Sequence, residues 1–298
     1  MVSLLCAPTV SADDIASRAV VVMDATTGRV LYAKNPDLRL MPASTTKLMT
    51  ALVVADRADL NDVVAISARA ASAPPTKIGL MQGDTVLIET LLNAALIRSA
   101  NDAAVALAEA VGGSEEEFVD LMNNKALALG LDNTRFINPN GLPGRGQYIT
   151  AYDLAEIMRE AISYPLLKDI LGTRVAEFTT EKGKTTFIKN TNRLLWSDEE
   201  FLAGKTGYTR EARHCFVGAG ERETDTIIVA LLGTPSRELL WDETEHLMTL
   251  GTKILHGLEE PVVYIVKADY DAAKMKKAAV SKKSRTAKPK KKKKRSTL

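Results

Sequence analysis

Apolar positions recur along the chain with two periods, and the switches between them mark out the elements. Ala19 to Met23 is a β-branched apolar run, Asp24 to Gly28 is turn chemistry, and Arg29 to Ala33 resumes a strand pattern, which predicts a hairpin. Pro42 precedes Ser44, and Leu48, Leu52 and Val53 then fall at helical spacing, so a largely buried helix is expected to open near Ala43 or Ser44. Asp62 to Ala73 is mixed, and Pro74-Pro75 opens a short stretch that the turn signal Gly83-Asp84 closes. Helices are expected over Ile88 to Ile97 and Ala103 to Val111, with Ser99-Ala100-Asn101 as the break between them. Ser114 with Glu117 forms a capping box that opens a further helix, which Gly130 ends.

Asn138 to Gly146, rich in Asn, Pro and Gly, is expected to be a loop, and Thr150 to Ser163 returns to helical periodicity. Val175 to Phe178, Thr185 to Lys189, Cys215 to Ala219 and Thr226 to Leu232 have strand character, and Glu238 to His256 has that of a closing helix. A hairpin, then helices, then strands and a last helix fit one sheet carrying helices, an α+β arrangement. No internal repeat is visible.

Composition adds a core and a tail. The chain has 298 residues, 46% hydrophobic and 26% charged, enough to bury a substantial core, and no apolar run reaches the ~18–20 residues of a spanning helix. The net charge of +2 hides an asymmetry: Lys274 to Arg295 holds thirteen bases and no acid, which leaves 26 bases against 37 acids elsewhere. The expected division is residues 1–12 as a truncated leader remnant, 13–260 as a catalytic domain, and 261–298 as a Lys-rich disordered tail. Val2 to Val10 followed by Val10-Ser11-Ala12 has the apolar run and small-residue cleavage site of a secretory leader, without its basic start, and points to export to the periplasm or cell envelope. A lipidated Cys6 fits less well, because Ser3-Leu4-Leu5 lacks small residues. With only Cys6 and Cys215 present, no structural disulfide is expected.

Three short motifs carry candidate chemistry. Ser44-Thr45-Thr46-Lys47 sets a hydroxyl and an amine three apart on one helical face. Serine needs a neighbouring base, and lysine serves as one only when burial or another cation lowers its pKa. Taken alone, the spacing more often describes a capping serine and a solvated lysine than a catalytic pair. Ser99-Ala100-Asn101 offers a second hydroxyl and an amide that donates and accepts, or simply a helix cap. Lys205-Thr206-Gly207, followed by Tyr208, supplies a cation, a hydroxyl and a glycine permitting close backbone approach, which suits a carboxylate. His214, His246 and His256 show no metal-ligand spacing, and no phosphate loop or dinucleotide fingerprint appears, so neither a metal nor a cofactor is expected.

The three motifs in this order form the signature of penicillin-binding proteins and class A β-lactamases. The segments Pro42 to Thr50, Ile97 to Ala104, Phe136 to Leu142 and Gly204 to Thr209 resemble the D-alanyl-D-alanine carboxypeptidases, the low-molecular-mass penicillin-binding proteins, and the resemblance extends from about Ala19 to Gly251. It implies the β-lactamase and DD-peptidase fold, a mainly antiparallel sheet flanked by helices with the Ser44 helix at its centre. It further implies Ser44 as nucleophile, Lys47 as base, Ser99 as proton relay and Asn101 as orienting amide. Lys205 and Thr206 would hold a terminal carboxylate with help from Arg237, and the N–H groups of Ser44 and Tyr208, beside Gly207, would form an oxyanion hole. The implied partners are a peptidoglycan stem peptide and, as inhibitors, β-lactams.

Arg213 stands where such proteins usually carry a glycine, and a cation there is expected to narrow or recharge one wall of the site. Class A β-lactamases deacylate with a glutamate, whereas Phe136 to Gly146 contains no acid, which disfavours that activity. A DD-endopeptidase shares all three motifs and is not separated from a carboxypeptidase by them. A non-enzymatic alternative is an anionic-polymer-binding protein acting through Lys290 to Arg295. Such a run also suits nucleic acid, but an export leader argues for wall polymers or lipid headgroups instead.

Overall fold

The computed structural model describes residues 15–179, 185–267 and 269–270, and the expected leader remnant and the Lys-rich segment lie outside them. Residues up to Tyr264 fall in one compact unit, and Ile265 begins a second. The first unit opens with the expected hairpin, β1 (Ala19–Asp24) and β2 (Val30–Lys34), paired antiparallel. A single turn of 3-10 helix over Ala43–Thr46 then leads into α1 (Lys47–Arg57). A helical lobe follows: β3 (Val63–Ala65), α2 (Ala68–Ala71), β4 (Thr85–Leu87), α3 (Ile88–Asn93), a π-helical turn (Ala94–Arg98), α4 (Asn101–Gly112) and α5 (Glu115–Ala128). After the Asn- and Gly-rich loop come α6 (Ala151–Ser163), α7 (Pro165–Gly172), the hairpin β5 (Val175–Thr179) and β6 (Thr185–Lys189), and α8 (Leu194–Ser197). The chain then returns as β7 (Phe201–Thr209), β8 (Arg213–Arg222) and β9 (Asp225–Thr234), followed by α9 (Arg237–Leu255) and β10 (Val262–Tyr264).

The principal sheet has the order β10-β2-β1-β9-β8-β7, antiparallel throughout except where β10 joins β2. This strand carries the fold past Glu260, the boundary expected from the sequence. All six residues of β1 are buried, because both faces of the sheet are covered. Val20 and Val22 pack with Ile227, Val229, Leu240, Trp241 and Leu247, the face that α9 lies on. Val21 and Met23, which point the other way by the period of two, are equally buried, and α6 packs on the same strands. Chain entry is tied down here too: buried Glu243 of α9 accepts from the Ala16 and Ser17 amides and the Ser17 hydroxyl.

Among the described residues four helices begin at a Ser or Thr whose side chain accepts an amide of the first turn: Ser67, Ser114, Thr150 and Ser236. Helix α1 is different. Every residue from Lys47 to Val54 is buried, so it is enclosed on all sides, packed by α4, α5, α6 and α7. The α4 helix that packs against it is rich in small residues, Ala103, Ala104, Ala106 and Ala108 being fully or almost fully buried. Strand β8 holds Cys215, whose thiol is sealed in the sheet beside the Met41 and Ala212 carbonyls, and burial pushes its pKa up to about 12.

Strand β7, at one edge of the sheet, is not anticipated by the sequence pattern, because Gly204, Lys205 and Gly207 interrupt the apolar alternation. The Arg213 side chain is exposed, and its neighbour His214 lines the cleft beside β7. The Arg213 φ of 61° is left-handed, a conformation that favours glycine.

Gly251 lets α9 close onto the sheet, since a Cβ there would lie 2.8 Å from Val22 and 3.0 Å from Ile227. Gly251→Leu is therefore expected to cost about 1–3 kcal/mol by overpacking, at ~2–4 °C of melting temperature per kcal/mol, and an unchanged thermal melt would contradict this packing.

Candidate active site

The 3-10 turn and the start of α1 place Ser44 and Lys47 on one face, with Ser44 half-buried and Lys47 fully buried. Lys47 Nζ has three partners: Ser44 Oγ at 3.2 Å, Asn101 Oδ1 at 2.7 Å and the Asn140 carbonyl at 2.8 Å. A lysine amine so enclosed is held well below its ordinary pKa, first by loss of hydration and then by the charge of Lys205, with Asp102 opposing. Once neutral, it retains two N–H groups for Asn101 and Asn140 and turns its lone pair to the Ser44 hydroxyl.

Each of those partners is itself held. Asn101 donates through Nδ2 to the Pro74 and Pro75 carbonyls, both at 3.0 Å, which sets the amide orientation and aims Oδ1 at Lys47. Asp102 accepts from the backbone amides of Ile78, Gly79 and Leu80 and stitches that segment to the start of α4. The Asn140 carbonyl is set by a self-bonded loop, in which the Gly141 amide donates to Asn138 Oδ1 at 2.7 Å and Thr50 donates to the Pro139 carbonyl at 2.6 Å. Gly141 has φ 82°, and a Cβ there would sit 1.8 Å from the Ala43 carbonyl, so the loop lies flush against the turn that carries Ser44.

The second lysine comes from β7. Lys205 is fully buried and donates to Ser99 Oγ and to the Thr206 carbonyl, each at 3.0 Å. Ser99 is delivered by the π-helical turn, at whose end it takes a left-handed φ of 65°, a conformation uncommon outside glycine. Burial lowers the Lys205 pKa to about 7. The Thr206 and Thr191 hydroxyls meet at 2.6 Å. Gly207 permits contact between β7 and the turn that carries Ser44, since a Cβ at that position would lie 2.9 Å from the Ser44 amide nitrogen.

These groups border a cleft of 370 Å³ lined by Ser44, Ser99, Thr206, Gly207, Tyr208 and Arg237. All nine residues singled out in the sequence thus converge, through direct bonds or a shared wall. Arg237 stands at the first position of α9 beside Trp241 and His214. The His214 ring lies 4.6 Å from that of Tyr208, and its pKa is lowered by burial and by Arg237. Sequence reasoning does not assign Asn140, Asp102, Thr191 or Trp241. A backbone carbonyl has no side-chain signature, and a buried tryptophan on a helix looks like core. A larger concavity of 840 Å³ between β3 and the α4–α5 junction brings together no such hydroxyl and amine. Among the described residues no cluster of His, Cys, Asp or Glu is arranged to hold a metal, and no helix is long and apolar enough to cross a membrane.

Lys205 has a folded pKa of about 7 against 10.5 when exposed, so unfolding takes up a proton between these values. Its contribution to stability is therefore least favourable at pH 7 and below, and recovers as pH rises toward 10.5. Lys205→Met is expected to be more stable than the parent by about 1–4 kcal/mol near pH 7, with the gain shrinking toward pH 10.5. A difference in thermal melts that does not vary with pH would contradict a buried amine.

Comparison with known proteins agrees with this geometry. The family model for D-alanyl-D-alanine carboxypeptidase matches residues 7–236. The chain is 38% identical over 226 residues to the D-alanyl-D-alanine carboxypeptidase DacF of Bacillus subtilis, covering 73% of this chain and 57% of that protein. It is 37% identical over 255 residues to DacC of Escherichia coli, covering 82% and 63%. The chain thus spans about three-fifths of the length of these two relatives. The crystal structure of a D-alanyl-D-alanine carboxypeptidase from Mycobacterium tuberculosis superposes with a TM-score of 0.78 at 33% identity, covering 83% of this chain and 94% of that one. A serine and lysine on an enclosed helix, answered by a second lysine on a sheet edge, are thus set in a shared fold and a shared sequence: the chain belongs to the D-alanyl-D-alanine carboxypeptidase family of low-molecular-mass penicillin-binding proteins.

Proposed function

We propose that the protein is a serine-type D-alanyl-D-alanine carboxypeptidase, removing the terminal D-alanine from peptidoglycan stem peptides through an acyl-enzyme. The observation that carries this is the dry, cation-flanked Lys47 amine, 3.2 Å from Ser44 Oγ. Neutral Lys47 takes the Ser44 proton as Oγ attacks the carbonyl carbon of the penultimate D-alanine. The developing oxyanion is received by the backbone N–H groups of Ser44 and Tyr208, for which the close approach at Gly207 provides support. Ser99, bonded to Lys205, passes a proton to the leaving amine as the C–N bond breaks. Water then cleaves the ester, releasing the shortened peptide and restoring Ser44. Lys205, Thr206 and Arg237 hold the terminal carboxylate. The site lies on an edge strand, β7, whose outer rim suits an extended peptide laid alongside it.

A β-lactam presents a carboxylate and a strained amide to the same groups, and Phe136 to Gly146 offers no acid to activate water for its release. Incubation with penicillin is expected to add one covalent adduct, mapped to Ser44 by peptide mass. No adduct, or an adduct on another serine, would overturn the assignment. Lys47→Ala is expected to slow acylation by both peptide and drug by roughly 10²–10⁴-fold. Lys205→Ala should mainly raise KM for carboxylate-bearing substrates. It should also move the acid limb of the acylation profile to higher pH, because removing a neighbouring cation raises the Lys47 pKa. Identical effects of the two substitutions would contradict these roles.

Export to the periplasm or cell envelope follows from the substrate and from the leader-like opening. The Lys-rich segment supports an electrostatic tether to an anionic surface, since each basic residue close to anionic lipid contributes on the order of 1 kcal/mol. Truncation after Ala273 is expected to leave turnover of a small soluble peptide unchanged and to abolish salt-sensitive binding to sacculi or anionic vesicles. Undiminished binding by the truncated chain would refute the tether.

A further inference from the structure

Beside the catalytic cleft lies a second groove, of 440 Å³, which shares Thr191, Arg237 and Trp241 with it. The additional lining is cationic and aromatic: Lys189 from the end of β6, Arg193, and Trp196 from α8, against one acid, Glu238. Lys189 Nζ lies 4.7 Å over the Trp196 ring, a cation–π contact that holds the ammonium at the groove wall. Trp196 is 40% exposed, and Lys189, Arg193 and Arg237 are all exposed, so the charges face solvent. Among the described residues none of these three cations takes part in a salt bridge.

Position gives the groove a polarity relative to the reaction. Resting on the function proposed above, Thr206 and Arg237 receive the carboxylate of the leaving residue, and Thr206 is bonded to Thr191, which lines both concavities. The groove therefore begins where a terminal D-alanine ends. A simple D-alanyl-D-alanine terminus meets it only at the shared Arg237, whereas a leaving group that continues past its own α-carboxylate extends along it. We propose that this groove is a leaving-group subsite for acidic extensions, and that it directs the enzyme toward substrates whose scissile amide is followed by a residue or peptide bearing a further carboxylate, as the second stem of a peptide cross-link does. The chemistry is unchanged: the amide C–N bond breaks, Ser44 Oγ is acylated, and the larger amine departs with the relayed proton.

Two substrates of equal size separate the contributions, an Nα-acylated peptide ending in D-alanyl-D-glutamate and the same peptide ending in D-alanyl-D-glutamine. Both keep the α-carboxylate, and only the first carries a second negative charge. The full chain is expected to show a kcat/KM on the order of tenfold higher for the glutamate substrate, declining as salt rises. Lys189→Gln combined with Arg193→Gln should bring the two rates together while leaving D-alanyl-D-alanine turnover unchanged. A parent enzyme without preference for the glutamate substrate, or a double variant that keeps the preference, would overturn the subsite. Penicillin acylation measured on the same samples reports separately on the catalytic assignment. Normal adduct with no preference defeats the groove alone, and loss of adduct in the parent defeats the underlying reaction.

Discussion

Everything at this site depends on keeping two lysine amines out of water and near each other. An ammonium is strongly hydrated, and the protein surrounds Lys47 and Lys205 completely, so the charged form of each is disfavoured by burial and that of Lys47 further by the other cation. The result is a Lys47 amine whose neutral, proton-accepting form is favoured well below the ordinary lysine range. That state is unfavourable for folding, which explains why the surroundings are so heavily built: an enclosed helix, a two-faced sheet and an Ala-rich neighbour that lets backbones pack closely.

Enclosure by itself would give a low pKa without direction. Direction comes from acceptors that cannot turn away. Asn101 is clamped by the Pro74 and Pro75 carbonyls, and the Asn140 carbonyl is fixed by a loop whose glycine fits flush under Ala43. With two of the three positions around Lys47 Nζ occupied by rigid acceptors, the third is left for Ser44. Lys205 is arranged in parallel fashion toward Ser99. Two hydroxyl–amine pairs, Ser44 with Lys47 and Ser99 with Lys205, are thereby held at a single cleft, the arrangement that the proposed proton transfers require.

The opening hairpin, the capped α5 and α6 and the closing α9 are legible in the sequence, because local periodicity and cap chemistry determine them. The π-helical turn reads there as continuous helix, since Ala94 to Arg98 has no residue that announces a wider turn. β7 escapes notice because of the residues it brings to the cleft: a strand bearing a buried lysine and two glycines lacks the alternation that identifies strands. β3, β4, α7, α8 and β10 are short and take their form from tertiary contacts. Within the site, the side chains in the three motifs are visible through family resemblance, whereas the Asn140 carbonyl and the grooves around Trp241 exist only once the chain is folded.

Cys215, sealed beneath the same strand pair, has a further consequence. With its pKa pushed up to about 12 by burial, the thiol stays protonated at neutral pH and is shielded from solution partners. Nucleophilic attack on peroxides, glutathione or a neighbouring disulfide requires the thiolate. Burial thus makes Cys215 a poor nucleophile and a poor target for oxidation, so its intactness does not depend on a reductant.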